Sequence, residues 1–130
     1  MDKMKYDLAG QVIGLAMRVH STLGPGFLES VYQNALIHEL RKADLAVEAE
    51  VRLSVKYDEV VVGDFVADLL IDRVLLVENK AVLSLAVAHE VQLVNYLTAT
   101  GLDEGLLLNF GAARLEFKKK FRQPLPVAES

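Results

Sequence analysis

Two carboxylates and a lysine stand in apolar surroundings in the middle of this chain. Asp68 lies inside the run Val66-Ala67-Asp68-Leu69-Leu70-Ile71. Glu78 and Lys80 close the run Val74-Leu75-Leu76-Val77-Glu78-Asn79-Lys80. Runs this apolar read as strands covered on both faces. A carboxylate buried there needs a partner or a metal ion, because losing water penalises the bare charge. The residue types suit phosphodiester hydrolysis, which requires an activated water and a phosphate whose charge is neutralised. Mg²⁺ or Mn²⁺ supplies both and prefers oxygen donors. Asp68, Glu78 and a backbone carbonyl such as that of Asn79 would hold the ion and leave positions open. The Lys80 ammonium would orient the attacking water and stabilise developing negative charge. Asp…Glu-x-Lys is a short pattern, and the same residues also read as ordinary strand-end charges.

Strand geometry makes the idea specific. Side chains alternate, so Glu78 and Lys80 share one face and Asn79 takes the other. Asp68 joins them only if even positions pair with even ones. A three-residue connection, Asp72-Arg73-Val74, sets Asp68 opposite Glu78. A two-residue connection, Asp72-Arg73, sends the carboxylates to opposite faces. The residues themselves are compatible with either.

The elements that must position this group follow from periodicity. Asp7 to about Leu23 has helical apolar spacing with Asp7 as N-cap, and Gly24-Pro25-Gly26 breaks it. A second helix is expected from about Phe27 to Ala43. Strands are expected at Val47 to Tyr57, Val60 to Ile71 and Val74 to Lys80, with Gly63 marking a bulge. A third helix should run from Ala88 to about Thr100, ended by Gly101. Leu106 to Phe110 and Leu115 to Phe121 read as two closing strands. The order α-α-β-β-β-α-β-β predicts an α/β (α+β) domain, one mixed sheet with helices packed on it, over residues 1–122. Residues 123–130, with Pro124-Leu125-Pro126, read as a flexible tail.

Further polar residues fall beside the apolar stripes of the helices. Glu29 and Tyr32 are three apart and share a face of the second helix; Tyr32 itself falls within the apolar stripe, so Glu29 lies beside the buried side. Glu29 reads either as a further acid of the site or as a first-turn glutamate favoured by the helix dipole. His89, Gln92 and Tyr96 share a face of the third helix. Gln92 would hold a water or phosphate, or is a partly exposed polar residue; Tyr96 borders the site or is a core aromatic. His89 reads as a boundary residue. Lys118-Lys119-Lys120-Phe121-Arg122 reads as a solvated edge strand that discourages aggregation, with phosphate contact as the other reading.

Bulk properties narrow the class. A 130-residue chain that is 52% hydrophobic fits one core. No apolar run is long enough to span a bilayer, and Met1 to Asp7 does not lead into a signal-peptide core. The chain has no cysteine, which excludes disulfides, thiolate metal sites and a cysteine nucleophile, and is compatible with a reducing cytoplasm. A net charge of −4 gives no help to nucleic-acid binding, so a local basic patch or metal ions would have to offset it.

Gly26-Phe27-Leu28-Glu29-Ser30-Val31-Tyr32, preceded by His20-Ser21-Thr22-Leu23-Gly24-Pro25, closely resembles the GxxExxY protein family, which is grouped with the PD-(D/E)XK nuclease-like superfamily. The likeness continues through Ala67-Asp68-Leu69-Leu70, Val77-Glu78-Asn79-Lys80-Ala81, Gln92 to Leu97 and Gly105 to Gly111, about residues 12 to 122. The resemblance implies Asp68 and Glu78 as ligands of Mg²⁺ or Mn²⁺, Lys80 as catalytic lysine, Glu29 as the first-helix acid and Gln92 as the glutamine after the Glu-x-Lys strand. Tyr32 and Tyr96 would border the site. Asn79 stands where an apolar residue is commoner, and Ala67 replaces the usual proline. The implied activity is metal-dependent hydrolysis of nucleic acid; the composition adds the expectation of a cytoplasmic location away from membranes. A non-catalytic binding or scaffold module of the same fold is the alternative. Association as a homo-oligomer or within a larger complex stays open, as does the choice of DNA or RNA.

Overall fold

A computed structural model describes residues 7–122 of the 130-residue chain, so the expected tail at 123–130 lies outside the described residues. The elements are α1 (Leu8–Leu23), α2 (Glu29–Lys42), β1 (Val47–Tyr57), β2 (Val60–Ile71), β3 (Leu75–Lys80), α3 (Val87–Thr100), β4 (Glu104–Asn109) and β5 (Glu116–Phe121). Type and order follow the expected α-α-β-β-β-α-β-β series. The five strands form one sheet in the order β1-β2-β3-β4-β5. β3 and β4 are parallel, and every other neighbouring pair is antiparallel. A parallel pair needs a long return of the chain, and α3 supplies it.

The sheet separates two cores. On one face, Leu69, Ile71, Leu75, Val77, Leu106, Leu108 and Phe110 pack against Val12, Ala16 and Val19 of α1 and Leu36 and Leu40 of α2. On the other, Leu76 and Leu107 pack under Leu93 and Leu97 of α3, with Ala67. Gly105 permits this second contact, because a Cβ there would press on the Leu93 side chain. The central strands β3 and β4 are covered on both faces, which is why they read as continuous apolar runs.

The ends of elements depart from sequence expectation for local reasons. α1 begins as expected: the Asp7 carboxylate accepts the Gly10 N–H at 2.9 Å. α2 begins at Glu29 rather than Phe27, since Leu28 is its extended N-cap. The Phe27 N–H donates at 3.1 Å to the Tyr32 hydroxyl, which in turn donates to the Gly24 carbonyl. The Tyr32 ring is fully buried and stacks on Phe110 with centroids 4.9 Å apart. Tyr32 thus clasps the α1–α2 loop from below. Removing only the hydroxyl, by Tyr32→Phe, should leave two loop backbone groups unsatisfied. The expected loss is roughly 1–2 kcal/mol in urea denaturation. An unchanged midpoint would show that water replaces the hydroxyl without cost.

The bulge falls beside Gly63. Val55 pairs with Gly63 and Lys56 with Val61, so Val62 is the extra residue. β3 starts at Leu75 rather than Val74, because Val74 belongs to the β2–β3 connection.

Candidate active site

The β2–β3 connection decides the geometry of the site. Ile71 pairs with Leu75, Leu70 with Leu76 and Leu69 with Val77, which leaves Asp72, Arg73 and Val74 as a three-residue connection. Asp72 and Arg73 adopt left-handed backbone with φ of 51° and 61°. Asp72 is held from outside the hairpin. Its N–H donates to the Ala46 carbonyl at 2.8 Å, and its Oδ1 accepts the Ala46 N–H at 3.0 Å.

The register carries Asp68 to the position facing Glu78, just where the backbone ladder ends. Side chains take over there. The Asp68 N–H donates to Glu78 Oε2 at 3.0 Å, and the Asn79 N–H donates to Asp68 Oδ2 at 2.7 Å. Each carboxylate spends one oxygen on the opposite strand and, among the described residues, keeps the other, Asp68 Oδ1 and Glu78 Oε1. The alternation of β2 also breaks at Asp68. Ala67 packs in the α3-side core and Leu69 in the core under α1 and α2, although a regular strand would put both on one face. Opposite Asp68 stands Glu50 of β1, between the pairs Ala49–Leu69 and Val51–Ala67, with a left-handed φ of 55°. Both strands turn over at this point.

Electrostatics follow from this placement. Glu78 is only 7% exposed. Burial first, and the neighbouring Asp68 charge second, push its carboxyl up to about 7. Burial also raises Asp68, aided by the charges of Glu29 and Glu50 and opposed by the Asn79 N–H and the Lys80 ammonium. Lys80 therefore acts on both carboxylates. Glu29, exposed in the first turn of α2, is felt by both, and that turn also suits its charge by helix dipole. Tyr96 is raised by burial, then by Glu78, and has a side-chain hydrogen bond with Gln92. Its ring stacks on Phe65 with centroids 3.7 Å apart. Gln92 itself is exposed.

Lys80, Glu29 and Tyr96 thus each fall within electrostatic reach of Asp68 and Glu78, and Gln92 is tied to the group through Tyr96. Tyr32 is different. Its ring faces Phe110 and its hydroxyl the α1–α2 loop, so it lies in the core beneath Glu29 and does not border the site. Among the described residues no set of three or more His, Cys, Asp or Glu side chains is grouped closely enough to hold a metal ion, so Glu29 stands off from the carboxylate pair. His89 is a helix-start residue, its Nδ1 accepting the Ala86 N–H at 3.0 Å. The basic end strand is partly engaged: Lys120 pairs with Glu90 at 3.0 Å and Arg122 with Asp103 at 2.7 Å.

Two residues near the site escaped the sequence reading. Glu50 looked like any strand glutamate, because neither its left-handed backbone nor its position opposite Asp68 is a local property. Gln33 hydrogen-bonds both Glu50 and Asn79. Its spacing, one helical turn beyond Glu29, was the available signal.

The chain matches the family profile described as the PD-(D/E)XK nuclease superfamily over residues 6–121, and it belongs to that superfamily. Among solved structures it is similar to the crystal structure of SSO0001, with 22% sequence identity and a TM-score of 0.59 over 75% of this chain and 50% of that one. The chain spans about half the length of that protein, and at this identity the likeness is one of fold. No curated protein matches the sequence.

Proposed function

We propose that this protein is a metal-dependent nuclease that hydrolyses phosphodiester bonds of nucleic acid, and that within the superfamily it stands with the GxxExxY proteins. The observation that carries the reading is the Asp68–Glu78 pair. Two carboxylates face each other at the end of a ladder, each with one oxygen uncommitted among the described residues, and Lys80 acts on both. Hard oxygen donors of this kind fit Mg²⁺ or Mn²⁺. When bound, the ion would offset the carboxylate charges and supply an activated water. Asp68 and Glu78 would hold it. Lys80 would orient the attacking water and balance charge on the scissile phosphate. Glu29 would add a further acid from the α2 side, and Gln92, with Tyr96, would hold a water or phosphate at the α3 rim.

The second reading is a binding module within a larger assembly. It is favoured by the exposed apolar residues Tyr57, Val60, Val61 and Val62 at the tip of the β1–β2 hairpin. The cysteine-free chain suits the cytoplasm. Among the described residues no helix is long and apolar enough to cross a membrane.

Linkage tests the metal site without any substrate. An ion that binds the folded chain alone stabilises it, by about 1.4 kcal/mol at ten times its Kd. Wild type should melt higher in Mg²⁺ or Mn²⁺ than in chelator, and Asp68→Ala and Glu78→Ala should each lose most of the increment. Equal increments in all three proteins would remove Asp68 and Glu78 as ligands. If wild type gains stability from metal yet cleaves none of a panel of single- and double-stranded DNA and RNA, the binding-module reading takes precedence.

A further inference from the structure

A chain of amides runs behind the site, on the face covered by α1 and α2. Asn79 stands between Glu78 and Lys80, and alternation sends its side chain to the back of the sheet, where it is fully buried. Its Nδ2 donates to Gln33 Oε1 at 3.2 Å, and Gln33 Nε2 donates to Glu50 Oε2 at 2.7 Å. Gln33 follows Glu29 by one helical turn, on the same side of α2. The Asn79 backbone N–H meanwhile donates to Asp68 Oδ2. One glutamine therefore joins α2, the irregular point of β1 and the strand that bears Glu78 and Lys80.

This arrangement has a cost. Among the described residues Asn79 Oδ1 finds no hydrogen-bond partner, although it is buried. An orphaned buried carbonyl is unfavourable, and an aliphatic residue of similar size would avoid the loss. Packing alone thus does not explain an amide here. What the amide supplies is a directional link from the strand to Gln33, which apolar packing cannot provide.

We propose that Gln33 and Asn79 are positioning residues that set the height of α2 on the sheet, and with it the distance of Glu29 from the Asp68–Glu78 pair and the place of Glu50 opposite Asp68. The consequence for metal affinity rests on the reading of Asp68 and Glu78 as ligands; the mechanical link does not.

The test uses the full chain with two substitutions. Gln33→Met keeps length and helix propensity but offers no hydrogen bond. Asn79→Val keeps a strand former and removes the orphaned carbonyl. Backbone amide exchange is measured without metal, together with melting temperature. Mn²⁺ affinity is measured by calorimetry for wild type, each variant and the double variant. Either substitution should speed exchange of the Asp68 and Asn79 amides about tenfold while leaving the α1 amides alone, since the loosening is local. Mn²⁺ affinity should fall about tenfold in each single variant, the scale for residues behind a ligand shell, and no further in the double variant. The melting temperature of Asn79→Val should not fall. A purely structural amide would instead lower the melting temperature of every variant and speed exchange in α1 as well, and that result overturns the proposal. If wild type binds no Mn²⁺ but the local exchange pattern appears, the link stands and the metal reading falls. If wild type binds Mn²⁺ and neither exchange nor affinity changes in the variants, the link falls and the metal reading survives.

Discussion

Lys80→Ala should reduce phosphodiester cleavage on the order of a hundredfold or more, the scale observed when one electrostatic stabiliser of a transition state is lost. The fold should survive, because Lys80 is partly exposed and ends its strand. Its backbone role also persists, since its carbonyl accepts the Phe110 N–H at 2.8 Å whatever the side chain. Metal affinity should not collapse, because an ammonium is not a ligand. It should rise slightly, since a cation that competes for the same carboxylates has gone. The comparison is wild type, Lys80→Ala and Glu78→Ala on the nucleic-acid panel, with calorimetric metal titration alongside. Cleavage that persists equally in all three proteins would mean that the activity resides elsewhere. Loss of activity and metal binding together in Lys80→Ala would make the lysine an organiser of the carboxylates.

Without metal, the folded protein should lose stability as pH rises from about 4.5 to about 7. The sign follows from Glu78, whose carboxyl is raised from 4.5 to about 7 by burial and by Asp68. The folded state then holds a proton that the unfolded chain has released, so stability falls with pH across that window. Below the lower bound both states are protonated and the full contribution is present. Above the upper bound it is gone. The shift corresponds to a change of at most about 3 kcal/mol. The raised Asp68 adds in the same direction. Urea denaturation in chelator across the window checks the slope. Glu78→Gln keeps the acceptor for the Asp68 N–H but cannot ionise, and should flatten most of the dependence. Metal should oppose the loss, since it binds the ionised pair, and its apparent affinity should climb until pH reaches about 7. Stability that rises through the window, in wild type and Glu78→Gln alike, would place Glu78 in a wetter setting than its burial implies.

Both expectations rest on a geometry that strand parity alone left open. Asp72-Arg73-Val74 accepts a two- or a three-residue connection, and nothing within the hairpin chooses between them. The observed connection is closed by the Val74 N–H on the Ile71 carbonyl at 3.0 Å and held from outside by Ala46, just before β1, which exchanges two hydrogen bonds with Asp72. That contact ties together residues 26 apart in the chain, and a local reading does not see it. The break in alternation at Asp68 is similar. It depends on β1 turning over at Glu50 and on helices covering both faces, so periodicity of two misplaces Ala67 relative to Leu69. Tyr32 shows the reverse error. Its place in the apolar stripe of α2 agrees with its burial, but the expectation that it borders the site does not hold, because its hydroxyl turns to the α1–α2 loop.

The sequence by itself determined the order and type of the described elements, one mixed sheet with helices packed on it, and which acids and lysine interrupt its apolar strands. These follow from short-range patterns: apolar periodicity, Asp7 as a cap, glycine at Gly24 and Gly101, and charge interrupting apolar strands. The superfamily was legible in the same residues. Only the tertiary structure decided that Asp68 faces Glu78, that their carboxylates finish the ladder in place of backbone, and that Glu50 and Gln33 stand behind them. Those outcomes depend on register, burial and crossings between distant segments, and burial in particular sets the charge state of Glu78. A residue's type is a local fact, but its pKa and its partners are properties of everything packed around it.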